Sequence, residues 1–248
     1  MIINHLIFQI YAPFTSWGEP AVGEVRHSNI IPSRSALLGL VSAALGIRRD
    51  DNQIDHINQH YHFAIRPFIA NNSWSRDFHT VQAPRANKKQ VCYTRFDEIR
   101  QGPFELETLL SQREYYNDVY YQIVMSETEN APYSLKQIQQ ALLKPVFPLY
   151  AGRKNSPLSL PLSPILYQGT LSDAFIFADK HYQECHRQDP VIDRLLKGIA
   201  DEYYWEQANQ EDHFEVINIQ RRQDQPINRH RWQFSDRQQF SGYLRGRE

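Results

Sequence analysis

Pro32-Ser33-Arg34-Ser35-Ala36-Leu37-Leu38-Gly39-Leu40-Val41-Ser42-Ala43-Ala44-Leu45-Gly46-Ile47 is a helix marked at both ends. Ser33 or Ser35 supplies the N-cap hydroxyl, and Gly46 supplies the stop. Apolar residues cover nearly the whole circumference, so this helix belongs deep in a core rather than on a surface. Gly39 in its middle costs about 1 kcal/mol relative to Ala, and close packing on a neighbouring strand would account for it. Upstream, Asn4–Ala12 (NHLIFQIYA) reads as a strand ended by Pro13, Gly18 and Pro20, with residues 13–32 as loop. A strand followed by a buried helix sets the pattern for what comes after.

Downstream, residues 53–60 suit a short helix and 61–69 (YHFAIRPFI) a strand. Residues 71–101 are polar, basic and dotted with aromatics. A stretch this long exceeds the ~12–15 residues usual for a structureless connection, so it reads as a projecting β-hairpin. Residues 104–113 are expected to be helical and 117–126 to form a strand. Ser134 caps a helix that ends before Pro145, and an extended Pro/Gly-punctuated stretch follows. The order is β, α, β, arm, β, α, extended. It predicts an α+β chain whose N-terminal part is a split βαβ, ferredoxin-like (RRM-like) unit with an inserted hairpin. Residues 171–215 read as mainly helical and acidic, and 214–245 as short strands rich in Arg and aromatics.

The chain has 248 residues and 41% apolar content, enough for a large folded core. No apolar run reaches the ~18 residues of a membrane span, and MIINHLIFQIY lacks the basic n-region of a signal peptide. Cys92 and Cys185 are far apart and form no CxxC pair, which fits a reducing cytoplasm. The net charge of −1 hides segregation. Asp173–Glu215 holds eleven acidic against four basic residues, Ile217–Glu248 seven arginines against three acids, and Arg76–Arg100 six basic against three acidic. Segregated positive charge on a near-neutral protein points to a local polyanion site. Ordinary solvated faces give the same runs.

Several blocks, in order and at consistent spacing, carry a resemblance. They are Trp17-Gly18-Glu19-Pro20; Pro32 to Leu40 running on to Ala44-Leu45-Gly46-Ile47-Arg48-Arg49-Asp50-Asp51; Arg76-Asp77-Phe78-His79-Thr80-Val81; Arg113-Glu114-Tyr115 with Asp118; Leu143-Lys144-Pro145; Tyr150-Ala151-Gly152-Arg153-Lys154; Pro157-Leu158; and, more weakly, Arg222-Gln223-Asp224-Gln225-Pro226 and Arg237-Gln238-Gln239-Phe240. Together they resemble the CRISPR-associated protein five (CasD) family, in its type I-E Cascade branch of the RAMP superfamily. The blocks span about 4–160 and 215–240, and 171–213 departs from the pattern.

The resemblance implies a ferredoxin-like RNA-binding domain over 1–160 with a thumb at about 71–101. It implies a smaller C-terminal region over 161–248, with an acidic helical insertion at about 171–213 and basic strands after it. It also implies a non-catalytic subunit that caps the 5′ handle of CRISPR RNA. Such a subunit touches the Cascade backbone and large subunits and reaches target DNA through the complex. Neither cofactor nor metal nor membrane enters this reading.

The candidate RNA-binding residues are Trp17, Arg26, Ser33, Arg34, Ser35, Arg48, Arg76, His79, Lys88, Lys89, Arg95, Arg113, Lys144, Arg153 and Lys154. Phosphates need cations and helix N-termini, and splayed bases need flat side chains. Ser33–Ser35 offers a helix start with Arg34 beside it, either a phosphate seat or a plain cap. Trp17 stacks on a base or closes the strand end in the core. The arm interleaves Arg76, His79, Lys88, Lys89 and Arg95 with Trp74, Phe78, Tyr93 and Phe96, which suits single-stranded RNA. Gly152, between Ala151 and Arg153, permits close backbone approach. The C-terminal arginines Arg221, Arg222, Arg229, Arg231 and Arg237 suit RNA, DNA or a partner subunit alike.

The alternative function is a metal-independent endoribonuclease, with His79 and Tyr93 or Lys88 as acid and base. Processing relatives carry a clustered Lys-His pair in the thumb, which this chain lacks. His56, His60 and His62 form an incomplete ligand set for zinc.

Overall fold

The computed structural model describes residues 3–51, 53–69, 73–84, 91–100, 106–197, 202–207, 213–228, 231 and 233–245. Its strands are β1 (Ile3–Thr15), β2 (Trp17–Gly18), β3 (Val25–Arg26), β4 (Ser28–Asn29), β5 (Tyr61–Ile69), β6 (Trp74–Pro84), β7 (Leu106–Glu127), β8 (Ile165–Gly169), β9 (Tyr203–Trp205), β10 (Phe214–Asn228) and β11 (Gln233–Leu244). Its helices are α1 (Arg34–Leu45), α2 (Gln53–Ile57), α3 (Arg95–Ile99), α4 (Leu135–Leu143), α5 (Leu171–Cys185) and α6 (Pro190–Leu196). Among the described residues no helix is long and apolar enough to cross a membrane.

One sheet organises the chain, in the order β10-β11-β9-β5-β7-β1-β8, with β3 and β6 also on β7. All its pairs are antiparallel except β3 with β7. This is an α+β architecture with a large antiparallel sheet and few helices. The alternation of β1 explains why both faces are covered. Leu6, Phe8, Ile10 and Ala12 enter one core with residues of α1, α2 and α4, while Ile7 and Tyr11 enter a second core with α5 and α6. Each large apolar side chain so buried contributes about 1.5–3 kcal/mol. The acidic 171–196 segment therefore has an apolar underside: Phe175, Ala178, Tyr182, Ile192 and Leu196 pack beneath it.

Helix α1 is capped as its residues demand. Ser33 is the N-cap, with its hydroxyl accepting the Ala36 N–H, and Gly46 closes the helix at φ 82. Gly39, however, faces nothing within 4 Å, so close packing on a strand does not account for it. Ser134 caps α4 through a reciprocal box with Gln137.

Several expectations change. Within 171–215, read as mainly helical, Tyr203–Trp205 is strand β9 and β10 begins at Phe214. Within 71–101, read as a hairpin, the described residues hold one strand, β6, with α3 after it and the partner strand at 106–116. Residues 106–113, read as helix, are strand. They belong to β7, which runs for 22 residues, because each pairs across to β6 between Pro84–Leu106 and Trp74–Tyr116. Tertiary pairing overrides the local helix preference of Leu-Glu-Thr-Leu-Leu. Residues 104 and 105 lie outside the described residues. The C-terminal strands are long rather than short, 15 and 12 residues, and bend at three register shifts. Pro13 does not end the first strand. The ladder with β7 passes over Pro13 and Asp118, where Asp118 takes φ 51, and resumes at Phe14–Asn117. Pro lacks an amide hydrogen, and skipping its rung removes the conflict.

Candidate nucleic-acid interface

Beyond the sheet's core, β6 and the first half of β7 form a two-stranded arm. Its side chains sort by strand alternation. Trp74, Arg76 and Phe78 share one face with Glu114 and Gln112, while His79 and Val81 share the other with Arg113 and Ser111. Arg76 is committed within the arm: it donates to Glu114 at 2.6 Å and to Gln112 at 3.2 Å, and lies 5.2 Å from the Trp74 ring centre. Burial opposes charge on Glu114, but Arg76 and His27 outweigh it and hold its carboxyl below the ordinary value. His79, Trp74, Phe78, Tyr93 and Phe96 are exposed. Arg95 starts α3, pairs with Glu98 and donates to the Gln82 carbonyl, tying α3 to β6. Lys88 and Lys89 lie outside the described residues.

At the foot of the arm three predicted arginines converge. β3 runs parallel to β7 with Arg26 opposite Arg113. Arg153 comes from the Tyr150–Pro157 turn. It donates to Ser16 Oγ at 2.8 Å and lies 5.9 Å from the Tyr115 ring centre. Gly152 makes this approach possible, since at φ 88 a Cβ would sit 2.0 Å from the Ser16 carbonyl oxygen. Burial lowers the Arg153 pKa, and the positive charges of Arg113 and Arg26 lower it further. Among the described residues no carboxylate makes an ion pair with any of the three, even though Asp77 is the register partner of Arg113. Clustered cations in this state favour an incoming anion. Lys154 is exposed beside them.

A second feature lies between the start of α1 and the C-terminal hairpin. An open groove of about 1040 Å³ is lined by Asn29, Ser33 and Ser35 on one side and Gln220, Arg221 and Phe234 on the other. Arg34 does not point into it as a phosphate ligand. Its side chain is 3% exposed, pairs with Glu206 and donates to the Asn58 carbonyl at 2.9 Å. Its backbone N–H, the first of α1, donates to the Asp224 carboxylate at 2.8 Å. The anion seat predicted at this helix start thus holds the protein's own carboxylate. Ser33 and Ser35 hydroxyls lie 3.1 Å apart on the groove wall. The C-terminal arginines that sequence reading left unassigned divide here, Arg221 lining the groove and Arg237 gripping Asp224.

Trp17 is 1% exposed, and its indole N–H donates to the Tyr121 hydroxyl at 3.0 Å, so of its two readings the structure takes the core one. Arg48 and Lys144 are exposed just beyond α1 and α4, where Val146 N donates to the Ala44 carbonyl and joins the helix ends. Cations there meet the negative end of a helix dipole. They lie a helix length from Ser33, about 18 Å at 1.5 Å per residue, so the structure does not gather them with the Ser33–Ser35 group. Among the described residues no three His, Cys, Asp or Glu side chains group to hold a metal. His60 hydrogen-bonds Thr128, and His62 faces Glu206 at 3.7 Å.

Comparison with known proteins follows the same lines. The model of the CRISPR-associated protein (Cas_Cas5) family matches residues 5–239. The Cascade subunit CasD of the CRISPR system of Escherichia coli (strain K12) is 31% identical over 167 residues, 64% of this chain and 69% of that protein. Among solved structures, a chain of a CRISPR RNA-guided surveillance complex superposes with a TM-score of 0.62 at 19% identity, covering 97% of this chain and 90% of that one. A Cas protein crystal structure superposes with a TM-score of 0.52 at 20% identity, covering 97% and 94%.

Proposed function

The chain belongs to the CRISPR-associated protein five family, and from that premise we propose that it is a non-catalytic subunit of a type I-E Cascade complex, one that binds and caps the 5′ handle of the CRISPR RNA. The observation that carries this reading is the convergence of Arg26, Arg113 and Arg153 at the foot of an aromatic-bearing arm. Phosphates of a single strand seat on such cations, and bases stack on exposed rings such as Trp74 and Phe78. The β6–β7 arm is then the thumb that folds over the RNA. The ferredoxin-like reading is supported by the order β5-β7-β1-β8 with α1 and α4 in one core, and β8 (Ile165–Gly169) carries that unit past residue 160. The chain after β8 is the smaller second region, and the groove between its hairpin and the start of α1 continues the RNA path past Asn29. Contacts with backbone and large subunits, access to target DNA through the complex, and a cytoplasmic site of action belong to the same reading.

The test is a tagged pull-down from cells expressing this chain, the neighbouring CRISPR subunits and a repeat–spacer transcript, with the 5′ ends of recovered RNA sequenced. A uniform repeat-derived handle that disappears when the processing subunit is omitted is the expected result. The same end produced with this chain as the sole CRISPR protein would make it the endoribonuclease instead. No RNA in either case refutes the clamp.

A further inference from the structure

The C-terminal hairpin of β10 and β11 is held to the rest of the sheet at one end. Backbone pairing with β9 covers Phe240, Ser241 and Gly242. The opposite end, around Arg222–Asp224 and Arg237, has no such ladder among the described residues, yet it forms one wall of the groove. What joins it to α1 is polar. Asp224 accepts two bonds from Arg237, at 2.6 and 2.9 Å, and one from the Arg34 backbone N–H. Arg222 lies 3.7 Å from the same carboxylate and donates to the Ile31 carbonyl. Glu206, just after β9, takes the Arg34 guanidinium and the Phe63 backbone N–H, and stands 3.7 Å from Arg237. The five side chains are only 3–13% exposed. Three cations face two carboxylates within this network, and Glu19 on the groove wall also acts on Arg222.

We infer that Glu206 and Asp224 are positioning residues: acting through Arg34, Arg222 and Arg237, they hold the far end of the C-terminal hairpin at a fixed separation from the start of α1, and so keep the groove in the form that receives RNA. The receiving of RNA rests on the function proposed above; the clamp itself does not. Ion pairs in a dry setting tolerate little displacement, because an uncompensated buried charge is strongly unfavourable. The walls they join come from chain segments that share no local sequence, so the groove has its shape before any ligand arrives. Arg34, which by sequence sits where a phosphate ligand would, works as an internal tether.

The experiment uses the assembled complex carrying Glu206→Gln or Asp224→Asn in the full chain. Amide hydrogen exchange in β10 and β11 is expected to quicken at least tenfold, with β1, β5 and β7 unchanged. RNA retention at raised salt is expected to fall at least tenfold, and nuclease protection of the RNA 5′ end to shorten. Arg237→Lys keeps the charge and loses the two-pronged grip, and is expected to fall between. Unchanged exchange in both carboxylate variants overturns the clamp. Faster exchange with wild-type RNA retention and footprint overturns its role in binding. If one variant does not fold, the other and Arg237→Lys report the same exchange. Absence of RNA from the wild-type complex overturns the underlying function, an outcome separate from either of these.

Discussion

Arg26 and Arg113 are the residues through which an anion is expected to be felt most directly, because their like charges face each other across a parallel ladder with no carboxylate paired to them among the described residues. Each phosphate contact on a single strand contributes a slope of roughly 0.7 to the dependence of log affinity on log salt. Arg26→Ala and Arg113→Ala are each expected to lower that slope by about 0.7 and leave the melting temperature unchanged. Fluorescence anisotropy over a salt series measures it; an unchanged slope in both removes them from the interface. His5 makes a different kind of prediction. It is 3% exposed, its Nε2 faces the Gly169 carbonyl, and its Nδ1 is buried without a partner. Burial lowers its pKa below 6.5. The unfolded chain therefore takes up a proton first as pH falls through 6.5. Stability is full above that value and declines below it until the folded imidazole also protonates. Melting curves between pH 7.5 and 5 are expected to show this decline, and His5→Gln to flatten it. At this scale the structure gathers some of the residues singled out in the sequence and buries others. The foot arginines came together, whereas Trp17 and Arg34 turned inward, because an indole N–H and a guanidinium finding Tyr121 and Glu206 depend on chain segments over a hundred residues away.

Among the elements, α1 is the one most fully written in its own residues: a Ser cap, an apolar barrel and a Gly stop. Gly39 is its odd position. With nothing within 4 Å of a built Cβ, Gly39→Ala is expected to stabilise the chain by about 1 kcal/mol. Urea denaturation reads it, and a loss of stability would mean that the site is tighter than its geometry. An arm was legible from length and composition, but residues 71–101 supply only its outgoing strand, and the first part of the return strand read as helix. Leu106–Leu110 has the look of a helix start, and only pairing with β6 makes it extended. The C-terminal hairpin was legible as β but not as a groove wall, since its bends come from register shifts that leave no local signature.

For the whole molecule, the second core decides how the acidic segment is understood. Arg66 on β5 reaches Asp179 on α5 at 2.6 Å, between the rings of Phe68 and Tyr203 at 4.5 and 4.9 Å. Both side chains are nearly buried. Asp179→Ala would leave Arg66 without that carboxylate, and a loss of about 3–5 kcal/mol is expected. Denaturant titration followed by tryptophan fluorescence measures it; a loss under 1 kcal/mol would show the pair to be dispensable. The charge pattern in the sequence marked this region as set apart. Its apolar underside, spaced along α5 at Ala174, Phe175, Ala178 and Tyr182, marks it as a layer of the fold.

The position of β1 has a consequence for how the chain is made. It is made before either of its neighbours in the sheet, which begin at Leu106 and Ile165. At roughly 5–20 residues per second, β1 waits on the order of 5–20 seconds for its first partner and longer for its second. During that interval Leu6, Phe8 and Ile10 have no sheet to enter, so the nascent chain carries an open apolar edge. A ribosome stalled before Leu106 would display a segment that sticks to other chains, whereas one stalled after Gly169 would display a strand paired on both sides.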